Sequence, residues 1–134
     1  MIKYSIFILF VFSTIISVEA KKSIVNNTRR ELIVNIQMGE KLSNITIKSN
    51  NDYSVTIQNS EQKGSLSQKN FDFISKKTNY VFSEQSSNLE NCSRSYIEVL
   101  RTLNGKKDKR IFCVGPNIRV PKNVSELINI LAML

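Results

Sequence analysis

Residues 91–115, NCSRSYIEVLRTLNGKKDKRIFCVG, hold both cysteines of the chain, its one Asn-Gly dipeptide and its densest run of cations. Ile97 and Val99 alternate with Tyr96 and Glu98, the two-residue period of a half-buried strand. Asn104-Gly105 follows, and both residues accept the positive φ that a tight two-residue hairpin turn demands. Residues 110–114 return as the second arm. A Cys92–Cys113 bridge would join the start of one arm to the end of the other, where an antiparallel pair brings its ends together. An even cysteine count and an oxidising destination favour this one intramolecular pairing; a bridge between chains or two free thiols is the competing arrangement.

That destination is read from residues 1–20. Lys3 provides a positive start, residues 6–12 an apolar core, and Val18 and Ala20 small or permissive positions before Lys21, the three parts of a secretory signal. Ser13, Thr14 and Ser17 interrupt the apolar run, which is short for a bilayer span. Cleavage after Ala20 is expected, giving a secreted, extracellular protein. It removes one Lys and one Glu, so the net charge stays at +8. Such an excess favours polyanionic partners, among them sulfated glycans and anionic membrane surfaces.

The remaining chain suffices for one domain with one modest core. Residues 21–30 read as an exposed lead-in and residues 31–134 as that domain. Leu32, Val34, Ile36 and Met38 form one strand face, Ile45 and Ile47 a second, and Tyr53, Val55 and Ile57 a third. Asn50-Asn51-Asp52 supplies turn chemistry between the last two. Residues 59–70 are polar and read as a long loop, the one candidate for an exposed reactive loop of a protease inhibitor. Phe71, Phe73, Ile74, Tyr80 and Phe82 are read as sheet residues on their aromatic content. Residues 127–134 close the chain as a strand or a short helix. Seven or eight short strands with no strong 3.6-residue period predict an all-β antiparallel sandwich.

The central stretch resembles the second half of a CUB domain, an extracellular β-sandwich module of the jelly-roll kind. The matching residues are Cys92, Tyr96-Ile97-Glu98, Asn104-Gly105, Phe112-Cys113 with Gly115, and Ser125-Glu126-Leu127 leading to Ile128 and Ile130. They span about a third of the chain. The first cysteine pair of the family has no counterpart, Val114 separates Cys113 from its glycine, and a final strand is missing, so the sandwich is expected to be incomplete at the C-terminus or completed by residues 31–38. The resemblance implies recognition of a protein or glycan through loops at the sandwich edge. Calcium-binding members carry an aspartate where this chain has Ser95, so no metal is expected.

Histidine is absent, which removes Ser-His-Asp and Cys-His catalysis and zinc sites built on imidazole. Glu84, Glu90 and Glu98 are the carboxylates around the central stretch, and their spacing singles out no acid–base pair. No glycine-rich phosphate loop is present. The expectation is a non-catalytic protein without a cofactor. Lys106, Lys107, Lys109 and Arg110 at the hairpin tip form the candidate polyanion site, suited to sulfate or phosphate through charge-assisted hydrogen bonds. Nucleic acid is not an expected partner, since secretion removes it and no stacking aromatic adjoins the cluster. Sequons stand at Asn26, Asn44, Asn91 and Asn123. The middle residue of the Asn91 sequon is Cys92, leaving Asn26, Asn44 and Asn123 as the expected glycosylation sites.

Overall fold

The computed structural model describes residues 29–134. The expected signal segment and the Asn26 sequon lie outside the described residues. The described chain runs β1 (Arg30–Met38), β2 (Lys41–Ile47), β3 (Asp52–Ile57), β4 (Ser60–Ser65), α1 (Gln68–Phe82), β5 (Ser95–Leu103), β6 (Lys106–Cys113) and α2 (Lys122–Leu131), with a one-turn 3-10 helix at Leu89–Asn91 before β5. The six strands form one open antiparallel sheet in the order β4-β3-β2-β1-β5-β6. The antiparallel β-rich class expected from the sequence is therefore present.

The first three strands form where period-two alternation places them. Leu32 and Val34 of β1, Ile45 and Ile47 of β2, Ile97 and Val99 of β5 and Phe112 of β6 share the inner face and are buried. Together with Phe71, Ile74, Val81 and Phe82 of α1 and Val124, Leu127 and Leu131 of α2 they make one continuous core. The layer laid over the sheet is thus two helices, and the other face of the sheet stays largely open. A second cluster, Cys92, Ile111 and Cys113 with Tyr96, sits on that outer face at the β6 edge.

Two segments depart from the sequence expectation. Residues 71–82 are helical, because Phe71, Ile74, Thr78, Val81 and Phe82 recur every three or four residues and all fall on the buried side. As a strand, the same segment would bury Lys76 or Lys77 with its aromatics, a cost with no compensating partner. Ser67 caps α1, its Oγ accepting from the Asn70 amide at 3.1 Å. Ser67→Ala is expected to cost about 1 kcal/mol, read as a lower urea midpoint with unchanged slope. The C-terminal stretch resolves as a helix in the same way, starting after Pro121 and burying Val124, Leu127 and Leu131.

Of the long polar loop expected at residues 59–70, the end begins α1 and the half at Ser60–Ser65 is instead β4. It has no apolar residue, and it is held by pairing with β3 across a turn in which Gln58 takes φ 56°. The ring of Tyr53 lies across Gly64, where any Cβ would collide with it. A glycine there gives that ring its seat in an otherwise solvent-facing edge. No exposed reactive loop remains at this position.

The hairpin forms as the sequence implies. Asn104 and Gly105 take φ 51° and 85°, and Tyr96 pairs with Cys113 at the far end. Cys92 and Cys113 are disulfide-bonded, with their Cα atoms 4.9 Å apart. The segment before Cys92 covers part of the β6 edge. The Ser87 amide donates to the Ile111 carbonyl at 2.7 Å and the Ile111 amide to Ser86 Oγ at 2.8 Å.

Candidate functional site: a basic cleft at one end of the sheet

Strand alternation distributes the hairpin cations over different surfaces. Arg110 shares the inner face with Phe112, and its Nη2 donates to the Phe82 carbonyl at 3.1 Å while its guanidinium lies 5.2 Å from the Phe82 ring centre. It fastens the C-terminal end of α1 to β6. Lys109 is exposed on the outer side, paired across from Leu100. Lys106 and Lys107 lie beside the turn, opposite Leu103 and Thr102. The hairpin tip alone therefore presents two of its four cations together with the sheet end, while Arg110 is occupied in holding a helix.

The fold adds other cations to that end. Leu103 pairs with Arg30 as well as with Lys106, and Thr102 pairs with Glu31 as well as with Lys107. The Asn104 amide donates to the Arg29 carbonyl at 3.0 Å, closing the start of β1 against the hairpin. Arg29, Arg30, Lys48, Thr102 and Asn104 consequently surround an open cleft of about 690 Å³, with Glu31 the one carboxylate in its wall. Arg29, Arg30, Lys48, Lys106 and Lys107 form no ion pair with a described carboxylate. Three cations from the ends of β1 and β2 thus share the cleft wall with one carboxylate, and Lys106 and Lys107 follow wall residue Gly105 at the start of β6. Arg29, Arg30 and Lys48 have no signal in a local sequence window, because they are far from the Asn104-Gly105 turn in the chain and meet it only through strand pairing.

The carboxylates near the central stretch do not converge. Glu84 lies on the helical side, where its Oε1 accepts from Asn123 Nδ2 at 2.8 Å. Glu98 lies on the open face and accepts from Asn35 Nδ2 at 2.9 Å. Glu90 is exposed in the one-turn helix. Among the described residues no group of three or more His, Cys, Asp or Glu is placed to hold a metal ion, and no helix is long and apolar enough to cross a membrane.

Two sequons have identifiable surroundings. Asn44 stands in mid-strand on the open face, its Nδ2 donating to Asn35 Oδ1 and its Oδ1 accepting from Thr46 Oγ1 at 3.1 Å. With Glu98 these residues form a hydrogen-bonded row across β5, β1 and β2. The Asn123 amide is tied to Glu84 at the start of α2. A glycan on either asparagine would take over the Nδ2 that makes the contact, on the open face at Asn44 and beside the helices at Asn123.

No protein-family model, no curated protein and no solved structure matches this chain. Of the residues that carry the likeness to CUB domains, Cys92 to Gly115 belong to the bridged hairpin and its flanks, whereas Ser125-Glu126-Leu127, Ile128 and Ile130 lie in helix α2.

Proposed function

We propose that the chain is a secreted, non-catalytic binding module whose partner is an extracellular polyanion, a sulfated glycan in the first instance. The observation that carries this reading is the convergence of Arg29, Arg30 and Lys48 in the wall of one concave end of the sheet with Glu31 as the single carboxylate of that wall, Lys106 and Lys107 following wall residue Gly105 in the hairpin. Cations from different strands, set on a rigid sheet, present several charge-assisted donors at spacings that a flexible tail would not hold. The disulfide fits the extracellular location that the signal segment implies.

The test is binding of a heparin-derived oligosaccharide, followed calorimetrically at several salt concentrations. Affinity is expected to fall steeply as salt rises, since the contacts are exposed charges. Reversing the three cleft cations, in the variant Arg29→Glu/Arg30→Glu/Lys48→Glu, is expected to weaken binding about 10–100-fold, at roughly 0.5–1 kcal/mol for each exposed contact. A control of equal net charge, Lys69→Glu/Lys76→Glu/Lys122→Glu, alters cations on the helical side and is expected to change affinity far less. Equal losses in the two variants would show a response to net charge alone and end the proposal.

A further inference from the structure

Beneath the basic cleft lies a second concavity, and the two share wall residues. This inner cavity, about 100 Å³, opens between α1 and the ends of β1, β2 and β5. Its lining is apolar at depth, with Leu32, Ile47, Phe71 and Ile74 all buried, and half-exposed Leu103 stands at its mouth. Arg30 and Glu31 belong to both the cavity and the cleft. Arg101 adds a further cation to the cavity wall, its guanidinium fixed by Asn79 at 3.0 Å and Asp108 at 3.2 Å and stacked 4.1 Å from the Phe82 ring centre.

A fully polar glycan can use the cleft but leaves this cavity empty. A wholly apolar molecule would fill the cavity and ignore the cations at its mouth. A molecule with an anionic head and one short apolar tail uses both, because the apolar depth and the cationic rim are continuous through Arg30. We propose that the cavity and the cleft together bind a single-tailed anionic amphiphile, with its sulfate, phosphate or carboxylate head among Arg30 and the neighbouring cations and the first carbons of its tail between Leu32, Ile47, Phe71 and Ile74. This rests on the anion-binding reading of the cleft and adds the chemical class of a ligand. An apolar cavity of about 150 Å³ holds a benzene ring, so this one takes about four tail carbons.

The experiment is an NMR shift titration of the secreted chain with the series from methyl sulfate to hexyl sulfate, with inorganic sulfate and butanol as reference probes. Affinity is expected to rise about fourfold for each methylene that enters the cavity and to level off after about four carbons. Leu103→Trp, which closes the mouth, and Ser75→Met, which projects a side chain from α1 into it, are both expected to flatten the series, with the thermal midpoint recording that each variant is folded. The arms separate this proposal from the one on which it rests. Binding of the heparin-derived oligosaccharide with no chain-length dependence would overturn the tail site alone. A chain-length dependence that survives both filled variants would place the tail elsewhere and also overturn it. Butanol binding as tightly as butyl sulfate, with no response to cleft charge reversal, would overturn the cationic head site and the polyanion reading with it.

Discussion

Replacing the bridge by Cys92→Ala/Cys113→Ala is expected to lower the unfolding free energy by about 3 kcal/mol, the chain entropy released when a loop of this length is opened in the unfolded state. The bridge joins residues 21 apart in sequence. Domains have about 5–15 kcal/mol in total, so the change removes a large share. The structure adds a local consequence. Cys92 and Cys113 are 8% and 7% exposed and form the outer-face cluster with Ile111. Without the bridge, only the Ser86 and Ser87 contacts to Ile111 and the one-turn helix keep the preceding segment against the β6 edge. Hydrogen exchange at the Ile111 amide is expected to accelerate more than at Val34, in the centre of the sheet. Urea denaturation and native-state exchange provide the two readings. An unchanged midpoint, or equal acceleration at both amides, would show that the bridge does not constrain this edge.

Phe82→Ala is expected to be at least as damaging, at about 3–5 kcal/mol, because it empties a large buried aromatic position. Phe82 is the last residue of α1 and belongs to the continuous core. Its ring also receives the guanidinium of Arg101 at 4.1 Å and that of Arg110 at 5.2 Å. The ring therefore joins the end of a helix to two strands through packing and through two cation–π contacts. Phe82→Leu divides these contributions, since it retains most of the apolar volume and none of the π face. Its expected cost is about 1–2 kcal/mol, at roughly 0.5–1 for each cation–ring contact. Urea denaturation of both variants checks the split. Equal losses in Phe82→Leu and Phe82→Ala would assign the effect to the ring face alone, and no loss in Phe82→Leu would assign it to packing alone.

Local chemistry determined those parts of this protein that neighbouring residues can specify. Alternation at Leu32, Val34 and Ile36, at Ile45 and Ile47, and at Ile97 and Val99 determined strands, because each side chain's face follows from the two-residue period alone. Asn104-Gly105 determined the hairpin turn, and two cysteines at its ends determined the pairing that the fold contains. The same residues could not determine the covering layer. The buried stripe Phe71, Ile74, Thr78, Val81 and Phe82 is helical in spacing, but its aromatic content is equally at home in a sheet, and the burial of that stripe against β-strand neighbours selects the helix. Nor did β4 have a legible pattern, since an edge strand with exposed polar side chains is specified by its backbone partner β3.

The candidate site divides along the same line. Lys106 and Lys107 were visible as part of a charge run, whereas strand alternation turned Arg110 into a clasp on Phe82. Arg29, Arg30 and Lys48 join the cleft because β1 lies between β2 and β5, an order that brings together residues far apart in the chain. Sequence determined how many charges there are and how each strand alternates; tertiary structure decided which charges meet, because strand order and register set distances that no local window contains.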